Sequence, residues 1–312
     1  MRSTHKVRVL DSSANNGIFH NILWQFYKEV VWCDLTFSWF GKLHAFFSVL
    51  FSKIFGKKAI VVAGGDDVAN VPEIKYGMFA YWWKKWCPLF VFKYADLILP
   101  VSKSNLLETI ENTSADPARV KLLYHGFDAK KWQPLDWVLK ENLVLTVGSI
   151  TNETFRKKGL DHFVKSAMYL PDVHFVLVGP WHDSAINWLQ EIASSNVIFT
   201  GGLYGEDLIR MYSRAKVYVQ ASIHESFGCS VAEAMLCECV PVVSNRAALP
   251  EVVGDCGFYV DNLNPENVAE RIKEALYNSN DLGKKARERI RTYFPLEKRK
   301  RDLLRSIDLL GS

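Results

Sequence analysis

Residues 220–244 read QASIHESFGCSVAEAMLCECVPVVS, and the rest of the chain can be placed around them. The apolar run 217–219 just ahead of them reads as the end of a buried strand. A loop, a glycine and a helix opened by Ser230 follow, and the helix stops before Pro241, where a second buried run begins. Strand, loop, helix and strand in that order make one unit of a parallel sheet. Open sheets of this kind bind ligands outside the carboxyl ends of their strands. Glu225 stands in the loop and Glu233 in the first helical turn, so two carboxylates flank the backbone N–H groups around Phe227, Gly228 and Cys229. Those donors and the positive end of the helix dipole suit an anion. Carboxylates do not hold phosphate, but they accept hydrogen bonds from sugar hydroxyls. The array therefore matches a hydroxyl-rich group, a diphosphate and a ribose in that order. Spacing alone leaves a second reading open: Ser230 and Glu233 also fit the S-x-x-E capping box, with Glu225 an ordinary loop acid.

The segment HESFGCSVAEAM, residues 224–235, resembles the E-x7-E signature of family 4 glycosyltransferases, which are retaining enzymes of the GT-B fold. The resemblance implies that Glu225 contacts the donor sugar, that the backbone at Phe227, Gly228 and Cys229 holds the diphosphate, and that Glu233 takes the ribose hydroxyls.

At 312 residues the chain has room for two domains, and its 49% apolar and 23% charged content is that of a globular protein with proper cores. Its +4 charge is unevenly placed. Residues 284–305 hold ten basic side chains against three acidic ones, a net of +7 that exceeds the whole. The remainder is slightly acidic, which argues against a general nucleic-acid binder. Six cysteines form no C-x-x-C pair and no zinc-like spacing with histidine, so all read as reduced thiols in a cytosolic protein. Residues 2–8 resemble no signal peptide, and no apolar run is long enough to span a bilayer.

In chain order, residues 6–10 read as a short buried strand. The small polar turn 11–17 and a helical pattern over 18–30 complete a Rossmann-like opening without G-x-G-x-x-G, which disfavours a nicotinamide or flavin dinucleotide. Residues 34–39 and 59–62 read as strands around a helix at 44–55. Gly64-Gly65-Asp66-Asp67 follows the third strand, where paired acids offer a hydroxyl acceptor or base, or a plain acidic turn. The stretch YGMFAYWWKKWCPLFVFKY, residues 76–94, sets three of the ten tryptophans beside Lys84 and Lys85. It fits either a core helix with its lysines outside or an aromatic platform for a glycan or a membrane surface. A strand ending at the Ser102 N-cap, a helix, and a strand over 119–124 close this half.

Residues 130–142 read as a linker, and 143–148 as a buried strand ending in Gly148. A loop carries Arg156, Lys157 and Lys158 to the start of a helix at 160–169, where cations oppose the dipole unless an anion binds. Strands at 173–179 and 197–200 alternate with helices, and Gly201-Gly-Leu-Tyr-Gly205 follows the second of them. An amphipathic helix over 265–277 and a basic helical tail complete the chain.

The resemblance extends over the second half and touches the first at scattered landmarks. It implies a GT-B protein: two Rossmann-like α/β domains facing across a cleft, the first abbreviated, over residues 1–135 and 136–290, with a C-terminal helix, 291–312, crossing back. The implied activity is retaining transfer of a hexose from a UDP- or GDP-linked donor to a hydroxyl on a glycan or lipid-linked acceptor, with no metal and no resident cofactor. Glu225, Lys158 and Asp66 are the implied catalytic residues. Gly148, Ser149, Arg156, Lys158, Leu203, Phe227, Gly228, Cys229 and Glu233 are assigned to the donor, and Asn16, Gly17 and Asp67 to the acceptor cleft. Family enzymes carry an Arg where this chain has Ser149, and Arg156 is the candidate substitute. Ser149 and the trimmed first domain keep open an inactive sugar-nucleotide or glycan binder, and the fold also hosts sugar-nucleotide epimerases and phosphorylases. A cytoplasmic location follows, with a peripheral position at the membrane as its variant.

Overall fold

The computed structural model of the chain describes residues 5–10 and 19–311, which form two compact units. One comprises residues up to Tyr124 together with 297–312, and the other runs from His125 to Leu296. The Asn16 and Gly17 candidates lie outside the described residues.

In the first unit, α1 (Phe19–Trp32), β1 (Leu35–Trp39), α2 (Leu43–Ile54) and β2 (Lys58–Val62) are followed by α3 (Trp86–Tyr94), β3 (Leu97–Ile98) and α4 (Lys103–Asn112). The three strands are parallel, in the order β1-β2-β3. β2 reads KAIVV and its last four residues are buried, as a parallel strand covered on both faces requires. Residues 6–10, expected to be a buried strand, join no sheet among the described residues and are mostly exposed. Their apolar content is too short and too broken by Lys6 and Arg8 to hold a central position. The strand expected over 119–124 reduces to one bridge, Ile98 to Val120. Ser102 caps α4 as expected, its side chain accepting from the Asn105 N–H.

The second unit carries a six-stranded sheet, all parallel, in the order β6-β5-β4-β7-β8-β9. Its elements are β4 (Glu141–Val147), α5 (Thr154–Lys157), α6 (Leu160–Ser166), β5 (His174–Val178), α7 (Ala185–Glu191), β6 (Val197–Gly201), α8 (Gly205–Arg214), β7 (Ala215–Gln220), α9 (Cys229–Leu236), β8 (Val240–Ser244), α10 (Leu249–Val253), β9 (Phe258–Val260), α11 (Pro265–Tyr277) and α12 (Ser279–Tyr293). Strand and helix alternate throughout, and the order reverses direction between β4 and β7. That reversal is the topological switch point at which doubly wound sheets take ligands. The core pairs strand residues such as Val144, Phe175, Val217 and Val242 with Phe163, Val164 and Ile272 of the covering helices. Residues 130–140 are held by this unit, because Lys140 Nζ donates to the carbonyls of Tyr212, Ala215 and Cys237 and Arg287 donates to those of Ala129 and Trp132.

The last helix, α13 (Leu296–Gly311), counts with the first unit from Glu297 onward. Its Arg299 donates to the carbonyls of Leu123 and Tyr124 and lies over the Trp39 ring.

Candidate active site

The carboxyl ends of β4 and β7 place the key side chains of the second unit. Gly148 follows β4, and a Cβ there would sit 2.7 Å from Lys158 Cδ, so the missing side chain is what lets the lysine stem lie across the strand end. Lys158 reaches that position through Gly159, whose φ of +63° favours glycine and whose added Cβ would lie 2.0 Å from the Ala221 carbonyl oxygen. The lysine ammonium is 3.6 Å from Glu225 Oε1, and both side chains are mostly buried.

Glu225 is held firmly. Its Oε1 accepts from Gln220 Nε2 at 3.2 Å and from Ser222 Oγ at 3.1 Å. Burial alone would raise this carboxyl. Lys158 first, then Lys157, the Ser222 hydroxyl and His224 outweigh burial and hold it below the ordinary carboxylate range. It is therefore an ionised acid over the physiological range.

The loop then turns on Phe227, which is 2% exposed and packs against Phe127, His125 and Phe294. Gly228 follows at φ +93° as the N-cap of α9, and it has no side chain with which to cap the helix. The capping box, the alternative that the spacing left open, is absent. Ser230 lies inside the helix rather than at its cap, and its hydroxyl bonds to the Tyr218 phenol. The sequence pattern misled because Gly228 can take the left-handed cap conformation, which shifts the helix start to Cys229, ahead of Ser230. Cys229 is exposed at that start, and the first N–H groups of a helix find no acceptor within the helix itself, which is where anions bind.

Glu233, freed from capping, faces the other way. Its Oε2 is 3.5 Å from the Tyr212 hydroxyl, and burial raises its pKa from the ordinary 4.5 to about 7, against the lowering influence of Lys131 and Tyr212. A half-buried carboxyl with one long hydrogen bond is short of donors, and hydroxyl groups would supply them.

The structure thus gathers Glu225, Lys158, Gly148, Ser149, Phe227, Gly228, Cys229 and Glu233 at neighbouring strand ends and the start of α9. Leu203 lies farther along the same edge, in the turn after β6 beside the exposed Tyr204. Arg156 is exposed with its guanidinium over the Phe155 ring, and the cations that act on Glu225 are Lys158 and Lys157. In the first unit, Asp66 pairs with Lys42 at 2.8 Å. Asp67 is corrected to a structural role: it is fully buried, and its carboxylate accepts from the N–H groups of Gly41, Gly64 and Gly65 at 2.8 to 3.2 Å. Both oxygens accept backbone donors, and the side chain is closed off from solvent, where a substrate hydroxyl would have to approach.

Sequence reading passed over four contributors: Tyr218, Gln220, Lys131 and Tyr212. The first two were legible in principle. Tyr218, Gln220 and Ser222 alternate, and period two puts polar side chains of one strand on one face. Lys131 and Tyr212 meet Glu233 only through the fold. Among the described residues no three His, Cys, Asp or Glu side chains converge as metal ligands would, and no helix is long and apolar enough to cross a membrane.

A parallel sheet with its switch point at an uncapped helix start, paired with a second α/β unit, is the GT-B class. The likeness to solved structures covers nearly the whole chain: HepE of Anabaena, solved with UDP and glucose, matches with a TM-score of 0.79 at 17% identity, over 92% of this chain and 81% of that one. Sucrose-phosphate synthase from Thermosynechococcus elongatus matches at 0.80 and 19% identity, over 98% and 83%. The sequence profile of the glycosyl transferases group 1 matches residues 128–293, more than half of the chain, and the protein belongs to that family. Among curated relatives, the serotype-specific mannosyltransferase WbdA of Escherichia coli is 29% identical over 185 residues. That match covers 52% of this chain but 22% of WbdA. A Campylobacter jejuni enzyme that transfers N-acetylgalactosamine to a diphospho-undecaprenol-linked sugar is 25% identical over 69% of this chain and 60% of its own length.

Proposed function

We propose that the protein is a retaining hexosyltransferase that moves a sugar from a nucleoside-diphosphate donor to a hydroxyl of a glycan or lipid-linked acceptor. One observation carries the reading: an ionised carboxylate and a donor-poor carboxyl, Glu225 and Glu233, stand on either side of an uncapped helix start with Lys158 beside the first of them. A sugar, a diphosphate and a ribose fit that order. When the bond between the anomeric carbon and the phosphate oxygen breaks, negative charge grows on the departing diphosphate. Lys158 and the N–H groups of α9 sit where it grows, and such preorganised stabilisation is commonly the largest catalytic contribution. This supplies the charge that a metal ion supplies in other sites, so the reading is metal-independent. Glu225 orients the sugar through its hydroxyls, and Glu233 holds the ribose. Leu203 contributes backbone groups toward the base.

Incubation with a panel of UDP- and GDP-linked sugars and no acceptor tests the activity. Slow release of nucleoside diphosphate is expected, lost in Glu225→Ala with nucleoside diphosphate affinity retained. Interconversion of the sugar indicates an epimerase instead, and binding without turnover in the wild type indicates an inactive binder; either result overturns the proposal.

The acceptor reading includes a membrane surface. The exposed rings of Trp82, Trp83 and Trp86, at 82%, 54% and 54%, lie next to Lys84 and Lys85, while Cys87, Val91 and Phe92 of the same stretch are buried. Helix α3 thus packs with one face and leaves outside Trp86 at its start and Trp82 and Trp83 ahead of it, as rings at a bilayer interface require.

A further inference from the structure

The polar residues at the end of β7 and in the loop and helix that follow it form a directed chain. Each donor can be assigned from its neighbours. The Ser230 hydroxyl bonds to the Tyr218 phenol, and the Tyr218 O–H donates to Gln220 Oε1 at 2.8 Å. Gln220 Nε2 donates to Ser222 Oγ at 2.6 Å and to Glu225 Oε1 at 3.2 Å, and the Ser222 O–H also donates to Glu225 Oε1. Because the Ser222 hydrogen goes to the carboxylate, Gln220 must present its amide nitrogen on that side and its oxygen to Tyr218. Every hydrogen therefore points from the first turn of α9 toward Glu225. Tyr218 and Gln220 are 0% and 1% exposed, so the chain is shielded from water, where such bonds polarise one another. The Ser244 hydroxyl donates to the Ser222 carbonyl and ties the chain to β8.

Gln220 Nε2, the Ser222 hydroxyl and the Lys158 ammonium all fall on Oε1 of Glu225. We propose that Gln220, backed by Tyr218, is a positioning residue that fixes the rotation of the Glu225 carboxyl so that Oε2 is the oxygen offered to the donor sugar. Against the raising effect of burial, Lys158 and Lys157 first and the Ser222 hydroxyl after them keep this carboxyl below the ordinary range. A leucine at position 220 would leave Ser222 and Lys158 on Oε1 but remove the one donor that reaches it from the strand. The inference rests on the transferase reading for what Oε2 touches, and on geometry alone for how it is aimed.

Gln220→Leu and the double variant Gln220→Leu/Tyr218→Phe test it. The double variant removes both ends of the Tyr218–Gln220 bond and so leaves no buried phenol unpaired by the change. In both, kcat for sugar-nucleotide hydrolysis should fall about ten- to a hundredfold, as small misplacements of a positioned group do. Nucleoside diphosphate, which lacks the sugar, should bind within about twofold of wild type. Crystals of Gln220→Leu should show the Glu225 carboxyl rotated. Wild-type kcat in the variants overturns the inference while leaving the transferase reading intact. So does a parallel loss of diphosphate affinity and melting temperature in the double variant, which would mark a purely structural role. Should the wild type turn over no donor, the transferase reading fails, and the crystal structure still decides the positioning: an unmoved Glu225 in Gln220→Leu refutes it.

Discussion

Donor binding should release a proton. Glu233 carries a pKa of about 7 because burial disfavours its charged form and the Tyr212 hydroxyl, 3.5 Å away, compensates weakly. Ribose hydroxyls that donate to the ionised carboxylate would draw the pKa down in the complex, so the proton present in the free protein must leave on binding. At pH 6 about nine-tenths of Glu233 is protonated and at pH 8 about one-tenth, so affinity should rise about tenfold over that span, about 1.4 kcal/mol. The ligand should be an intact sugar nucleotide, because its pyrophosphate is esterified at both ends and does not titrate in this range. Calorimetry in buffers of different ionisation enthalpy would read both the affinity and the proton count, about half a proton at pH 7. Glu233→Gln should bind weakly with no slope. A wild-type affinity that changes less than about twofold from pH 6 to 8, or a slope that survives in Glu233→Gln, would refute the argument. The same raised pKa has a consequence for stability. The folded state keeps the Glu233 proton over a range in which the unfolded chain has lost it, so stability falls as pH rises from 4.5 to about 7. Glu233→Gln should therefore melt higher than wild type at pH 8, by up to about 3 kcal/mol of stability.

Asp67→Ala should cost about 3 kcal/mol or more in denaturant unfolding, since three backbone N–H groups lose their acceptor, while donor affinity stays unchanged. The Asp67 carboxyl is raised by burial from 3.8 to about 6, so its contribution to stability also declines as pH climbs through that interval, and Asp67→Asn should flatten the decline. Gly148→Ala places a methyl 2.7 Å from the flexible Lys158 stem and should keep the fold but lower turnover about a hundredfold by displacing the ammonium. Gly179→Ala instead meets the Gly148 carbonyl oxygen at 1.8 Å and should fail to give folded protein on expression. Liposomes containing anionic lipid should carry the protein upward in flotation at low salt, and Trp82→Ser/Trp83→Ser should reduce the floated fraction; equal flotation of both proteins would sink the membrane reading.

Much of this architecture was present in linear order. Runs such as VLTV in β4 and VPVVS in β8 are apolar on both faces, and only a strand covered by helices on both sides satisfies them. The spacing of Glu225 and Glu233 around a loop and a helix start likewise needs no tertiary information, because a local turn places both. Where the sequence reading erred, a distant partner or a competing local conformation was responsible. The helix start read at Ser230 lies at Cys229 because a left-handed glycine at 228 can begin the helix ahead of it, and the serine hydroxyl bonds to Tyr218 instead. Asp67 looked like a substrate acid until the Gly41 loop, 26 residues earlier, closed over it. What the sequence by itself determined was therefore the strand order of hydrophobic runs and the positions of the two acids. The tertiary structure decided their ionisation: Lys158 holds Glu225 charged from 67 residues away, and the wall that includes Tyr212 leaves Glu233 poised near neutrality. Charge state depends on burial and on through-space neighbours, and neither is encoded in the spacing of a motif.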